Sequence, residues 1–170
     1  MSTLLKGEKI GLIGFGELGS ALFEGWSAAG RKVLVNNGSL ERTREKLAQS
    51  GADVERGQSI KQLTEECQVI ALAIRGVALH DVMTELDHHA DQDHIVLSFM
   101  AQESRESIFG LLKQADVEVC KGMTTLGARE QRGVSAPARR SPQEGRDRHA
   151  VRRLRRLSLG AFDGNDSRER

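Results

Sequence analysis

Three observations predict an α/β fold built on a doubly wound parallel sheet. Short apolar runs alternate with segments of helical spacing through residues 1–127. One run, Val69–Ile74, is six consecutive apolar residues, the pattern of a strand covered on both faces. A glycine-rich turn joins the first apolar run to the first helical segment. Strands and helices alternating at this spacing give a parallel sheet with helices packed on each side.

The elements follow in order. Ile10–Ile13 is a short strand closed by glycine. Leu18, Ala21, Leu22, Gly25 and Trp26 then recur at helical spacing, and Gly30 ends that helix. Val33–Asn36 is the second strand. Ser39 can cap a helix running to about Ser50, where Gly51 can stop it. Ala52–Val54 is a possible short strand, and Ile60–Glu66 a short helix. After the apolar run at Val69 comes a helix over Val77–Leu86, with Leu79, Val82 and Leu86 on one side. Ile95–Phe99 is a strand. Glu103–Lys113 is a helix buried through Ile108, Leu111 and Leu112. Val117–Cys120 is the last strand. No internal repeat with a solenoid period occurs.

The 170 residues suit one compact domain with a tail. The net charge of +1 conceals a division. Residues 1–128 hold 13 Lys and Arg against 18 Asp and Glu, whereas residues 129–170 hold 12 Arg, no Lys and 6 acids. Both prolines, Pro137 and Pro142, fall in this basic segment. Its large apolar residues are few, too few to offset the entropy of ordering it. Residues 128–170 are therefore expected to be disordered, apart from a short basic helix over Ala150–Leu159. No apolar run approaches the roughly 18 residues that cross a bilayer. No secretory signal is read at the N-terminus. Cys67 and Cys120 match no disulfide framework or zinc pattern, so a cytoplasmic location is expected.

The motif that carries chemistry is Gly14-Phe15-Gly16-Glu17-Leu18-Gly19, a G-x-G-x-x-G between a strand and an amphipathic helix. Gly14 permits the tight turn. Gly16, with no Cβ, lets a pyrophosphate approach the backbone. Gly19 lets the helix pack close to the strand. The helix start offers free N–H groups and its positive dipole end to phosphate. This is the fingerprint of a Rossmann-type dinucleotide-binding domain. An NAD site would place Asp or Glu at the end of the second strand, on the adenosine ribose. This chain has Asn36-Asn37-Gly38-Ser39, then Arg42 and Arg44. Asn37 and Ser39 can donate hydrogen bonds and Arg42 can supply charge, a set that favours NADP. The alternative for Arg42 and Arg44 is a solvated helix face.

The segments KIGLIGFGELGSAL, VNNGSLERTREKL, VIALAIRGVALHDVMTEL and IVLSFMAQESRESIFGLL occur in that order. Together they resemble the N-terminal domain of the pyrroline-5-carboxylate reductase family, the last enzyme of proline biosynthesis, over about residues 8–125. Gly14, Gly16 and Gly19 match the family's G-x-G-N-M-G. Asn37 begins its Asn-Arg-Ser/Thr segment, with Gly38 in place of Arg. Ala73, Ile74 and Arg75 match A-V-K, with Gly76 where Pro is expected. Met100 and Ala101 match M-A, with Gln102 in place of Gly. The resemblance implies that Ala73–Arg75 and Met100–Ala101 line the nicotinamide side of the cofactor. It implies NADPH-dependent reduction of the C=N bond of 1-pyrroline-5-carboxylate to proline. Glu17 stands where the family has Asn beside the pyrophosphate. The family continues into a helical domain that makes the dimer and completes the substrate site, and nothing after Gly127 resembles it. An Arg-only segment rich in Gly, Ala, Ser and Pro is what GC-rich coding sequence gives out of frame, so an out-of-frame end after residue 127 is expected.

The resulting expectations are an NADP-binding domain and a small-molecule substrate. A homo-oligomer is also expected, because a domain without its usual partner exposes the apolar surface meant for it. Other NADP-linked reductases share this opening domain, including the hydroxyacid dehydrogenase and coenzyme F420-dependent types. A non-catalytic nucleotide-binding protein also stays open. Nucleic acid is the less favoured partner, because Arg139-Arg140 and Arg152-Arg153-Leu154-Arg155-Arg156 have only Phe162 as an aromatic neighbour. No catalytic residue and no metal site is assigned. His80, His88, His89 and His94, set among Asp81, Asp87, Asp91 and Asp93, match no ligand spacing and read as solvated surface. Cys67, Cys120 and Trp26 read as core.

Overall fold

The computed structural model of the chain describes residues 9–38, 45, 48 and 59–122. Of the helix expected over 39–50, only Glu45 and Ala48 are described, both helical and exposed. The strand expected at 52–54 and all of residues 123–170, with the expected disorder and helix there, lie outside the described residues.

Among the described residues, five strands alternate with four helices whose ends are both described. They are β1 (Lys9–Ile13), α1 (Glu17–Ala28), β2 (Lys32–Asn36), α2 (Ile60–Glu66), β3 (Val69–Leu72), α3 (Leu79–His89), β4 (Ile95–Ser98), α4 (Arg105–Phe109) and β5 (Glu118–Lys121). The strands form one parallel sheet in the order β2-β1-β3-β4-β5. From β1 the chain turns one way to β2, then crosses to β3 on the other side. The sheet therefore switches direction between β1 and β3, where Ile13 and Leu72 are register partners.

Strand alternation builds the two faces. Ile10 and Leu12 of β1, Val69 and Ala71 of β3, and Ile95 and Leu97 of β4 pack with Leu22, Phe23 and Trp26 of α1. Ile13, Ile70, Leu72 and Val96 point the other way, into a cluster with Leu63 of α2, Met83 and Leu86 of α3, and Ile108 of α4. Each buried side chain of this size contributes roughly 1.5–3 kcal/mol. The continuous apolar reading of Val69–Ile74 has this cause, since both faces are covered. Trp26 packs on Phe99 with ring centroids 6.1 Å apart. Ser59 starts α2 with a reciprocal cap: its Oγ accepts from the Gln62 N–H at 3.2 Å, and its own N–H donates to Gln62 Oε1 at 2.9 Å.

Two helices differ from expectation. The segment after β3 opens with a 3₁₀ turn, Gly76–Ala78, before α3 begins. Val77 is consequently 88% exposed, and Leu79, Met83 and Leu86 form the buried stripe, with Val82 half-buried beside it. The segment expected as a helix over Glu103–Lys113 is helical only over Arg105–Phe109. Ser104 caps it by accepting from the Ser107 N–H at 3.0 Å. Gly110 closes it, and Leu111 and Leu112 then donate to Ile108 and Phe109 in tightened turns. Beyond them the backbone is taken by a side chain of another helix: Asp87 Oδ1 accepts from the Gln114 and Ala115 N–H groups, both at 2.9 Å.

Asp87 and His94 are thus not solvated surface, contrary to the sequence expectation. Both are buried, Asp87 at 9% exposure and His94 at 2%. His94 Nε2 donates to the Thr64 carbonyl at 2.8 Å, and Nδ1 lies 2.7 Å from Asp91 Oδ1, joining α2 to the turn before β4. Burial opposes ionisation of Asp87, but the N–H groups of Ala115, Gln114 and Lys113, with His88 nearby, outweigh it and hold the carboxyl below its ordinary value of 3.8. A depressed carboxylate stabilises the fold above its unfolded value, and that contribution is lost as pH falls through the folded one. Asp87→Ala is expected to cost about 1–3 kcal/mol at neutral pH, because it strands two N–H groups. Urea unfolding at pH 7 and at about pH 3 checks this: the gap between wild type and variant narrows at the lower pH.

Candidate functional site

The carboxyl ends of β1, β2 and β3 meet at the loop Gly14–Gly16, at the point where the sheet switches direction. Gly14 has φ +98°, a conformation that L side chains rarely adopt. Its N–H donates to the Asn36 carbonyl at 2.8 Å, tying the loop to the end of β2. A Cβ at Gly14 would overlap the Ala73 carbonyl and lie 2.8 Å from Ile74 Cγ2. A Cβ at Gly19 would run into the Gly14 carbonyl oxygen, so α1 rests directly on the loop. Gly16 differs from both. It is exposed, and a Cβ there would meet nothing within 4 Å. Steric need at Gly14 and Gly19 comes from the protein itself. At Gly16 the open space lies over the start of α1.

That start has the properties of an anion site. Helix α1 is 12 residues long, and its N-cap, Gly16, supplies no side-chain hydrogen bond. The first N–H groups of a helix have no intrahelical acceptor and lie at the positive end of its dipole. Glu17 is exposed in this first turn.

The structure brings most of the sequence-selected residues to this rim, with different parts of each facing it. Phe15 and Leu18 send their side chains into the core. Phe15 is buried, with its ring edge-on to Phe23 at 5.5 Å, and Leu18 packs against the same cluster. Only their backbone belongs to the loop and the first turn of α1. Ala73 and Ile74 lie directly against Gly14, and the Ala73 N–H donates to the Ile13 carbonyl at 2.9 Å. Arg75 follows, fully on the surface side and in extended backbone. Met100 is buried in the second core cluster, whereas Ala101 is exposed. Asn37 is half-buried just beyond β2. Ser39 and Arg42 lie outside the described residues.

Two rim residues escaped the sequence reading. Lys121, the last residue of β5, donates from Nζ to the Ala101 carbonyl at 3.4 Å. Glu103 holds Oε1 near Gly76, 3.7 Å from the position of an added Cβ, while Oε2 accepts from Ser107 Oγ at 2.9 Å. Ligands of such sheets bind at strand carboxyl ends, and that rule applied to β5 would have selected Lys121. Among the described residues, no group of three or more His, Cys, Asp and Glu side chains could hold a metal ion. Among them, too, no helix is long and apolar enough to cross a membrane.

The model of one family, described as NADP oxidoreductase coenzyme F420-dependent, matches residues 9–102, more than half of the chain. The chain belongs to this family. As an NADP oxidoreductase domain it shares its fold with solved reductases at low identity. It is similar to the Plasmodium falciparum pyrroline carboxylate reductase with NADP bound, at 12% identity and TM-score 0.67, covering 92% of this chain and 56% of that one. The 1-pyrroline-5-carboxylate reductase of Streptococcus pyogenes is similar at 20% identity and TM-score 0.63, with 92% and 58% covered. So is a Mycobacterium tuberculosis 3-hydroxyisobutyrate dehydrogenase, at 15% identity and TM-score 0.67, with 91% and 52% covered. The chain thus spans somewhat over half the length of these proteins. No curated protein matches it in sequence at a significant level.

Proposed function

We propose that this NADP oxidoreductase domain binds NADP(H) across the switch point and serves the reduction of a small cyclic imine, 1-pyrroline-5-carboxylate, to proline. The observation that carries the cofactor reading is the contrast among the three glycines: two are demanded by the protein's own packing, and Gly16 by nothing but open space above an uncapped helix start. A pyrophosphate fits that space. In this reading the pyrophosphate lies on the glycine-rich turn: Gly14, its N–H donated to the Asn36 carbonyl, shapes the turn, and the backbone of Phe15, Gly16, Glu17, Leu18 and Gly19 around the start of α1 faces the phosphates. Asn37, Ser39 and Arg42 take the 2′-phosphate end. The rim formed by Ala73, Ile74, Arg75, Met100 and Ala101 faces the nicotinamide. When bound, the cofactor supplies a hydride. The protein's part is to orient it: Ala73 and Ile74 are held against Gly14, and Met100 is anchored in the core, so both walls of the rim are rigid. Phosphate oxygens would share the first turn of α1 with exposed Glu17, whose carboxylate must turn to solvent.

The imine reading rests on the four ordered sequence segments and on the reductases of the same fold. A second reading, reduction of a hydroxyacid's carbonyl counterpart, is supported by the equal TM-score of the 3-hydroxyisobutyrate dehydrogenase. In either case a reducing, NADPH-rich cytoplasm is the proposed setting, and pairing with a second copy or domain would complete the substrate site. The tail's arginines are not proposed as a nucleic-acid surface.

Titration of the full chain with NADPH and NADH tests the cofactor reading. NADPH is expected to bind at least about tenfold more tightly, a difference of roughly 1.4 kcal/mol. Equal affinities would remove the 2′-phosphate assignment, and no binding of either would remove the site. NADPH oxidation with 1-pyrroline-5-carboxylate, methylmalonate semialdehyde and a deazaflavin then separates the reductase classes.

A further inference from the structure

Strand β4 is flanked in the sheet by β3 and β5. Its carboxyl end leads into Met100–Ala101, the neighbouring end of β3 leads into Arg75, and β5 itself ends at Lys121. Two cations therefore stand on either side of one short loop. Lys121 pairs in register with Ser98, which is fully buried, so its backbone position is set by the sheet. Its ammonium reaches the Ala101 carbonyl at 3.4 Å, the long end of the hydrogen-bond range. Among the described residues neither Arg75 nor Lys121 takes part in an ion pair. Glu103, the nearest acid along the chain from this loop, is turned toward Gly76 and engaged by Ser107. The carbonyl thus steers the Lys121 ammonium over the loop without neutralising it.

We infer that Lys121 is an anion-binding residue of the substrate site and that the substrate presents a carboxylate to it. The inference rests on the reading of Met100–Ala101 as the nicotinamide side of an NADP site. A flexible four-carbon stem ending in a compact charge suits a single carboxylate, which the ammonium can meet at about 2.7–2.9 Å once it leaves the carbonyl. Lys121 here orients substrate; it forms no bond to it and transfers no proton in this role.

The test uses the full chain loaded with NADP⁺ and calorimetric titration of L-proline, pyrrole-2-carboxylate and 3-hydroxyisobutyrate, with L-prolinamide as the control that lacks the carboxylate. At least one carboxylate is expected to bind, and L-prolinamide at least about tenfold more weakly than L-proline if L-proline is that ligand. Lys121→Met is expected to weaken the carboxylate by about tenfold or more, Lys121→Arg by no more than about threefold, with NADP⁺ affinity within about twofold of wild type in both. Wild-type carboxylate affinity in Lys121→Met, or NADP⁺ binding with no carboxylate bound, overturns the assignment and leaves the cofactor reading standing. Failure of NADP⁺ itself to bind overturns the cofactor reading and the assignment with it.

Discussion

Gly16→Val is expected to abolish measurable NADPH binding, a loss of at least about 100-fold, while the chain stays folded. The physical basis is the empty space above this residue. A Cβ at Gly16 meets nothing within 4 Å, and the backbone there, φ −75° and ψ −159°, is extended and open to a β-branched residue. The fold loses only the modest preference of an N-cap for glycine over valine, about 1 kcal/mol or less. The two methyl groups, however, would fill the volume through which a pyrophosphate reaches the first N–H groups of α1. Those groups act only at hydrogen-bonding distance, so a displacement of one or two ångströms forfeits them. Fluorescence titration with NADPH reads the binding, and thermal unfolding reads the fold. An unchanged affinity would show that no phosphate approaches this turn.

The opposite pattern is expected two residues earlier. Gly14→Ala should destabilise the fold by about 2–5 kcal/mol, from strain at positive φ added to overpacking. The added Cβ collides with backbone, the Ala73 carbonyl, rather than with the movable end of a side chain. Relief would require β1 and β3 to separate at the point where Ile13 and Leu72 are paired. Urea unfolding measures the loss directly. A variant as stable as wild type would mean that the loop is free to shift, and the rigid cradle assigned to it would fall. The two substitutions lie in one turn, yet one removes a ligand and the other weakens the protein.

Much of this was legible before any coordinates. Alternation of apolar runs and helical spacing predicted each described strand to within one or two residues; the signal is fullest for β3 and β4, because a strand buried on both faces has to be apolar throughout. The glycine motif was legible because its spacing is local in the chain; in the structure Gly14 and Gly19 answer steric demands of the fold, whereas Gly16 leaves open space at the start of α1. The errors fall where one segment's conformation depends on a distant one. Spacing alone cannot reveal that Asp87, 27 residues earlier in the chain, captures the Gln114 N–H, and the Ala115 N–H beside it, just beyond the tightened turns that follow Gly110. Nor can it reveal that His94 reaches the Thr64 carbonyl, which turns an apparently solvated histidine into a buried one.

By itself, then, the sequence determined the α/β class, the position of the glycine-rich turn and the family, because these depend on local periodicity and on residues close together in the chain. The tertiary structure decided which atoms face the rim. It showed that Phe15, Leu18 and Met100 contribute backbone while their side chains join the core. It also brought Lys121 beside Ala101, 20 residues away in the chain. The physical reason is that a parallel sheet gathers the ends of strands remote in sequence along one edge, and only the order β2-β1-β3-β4-β5 says which ends are neighbours.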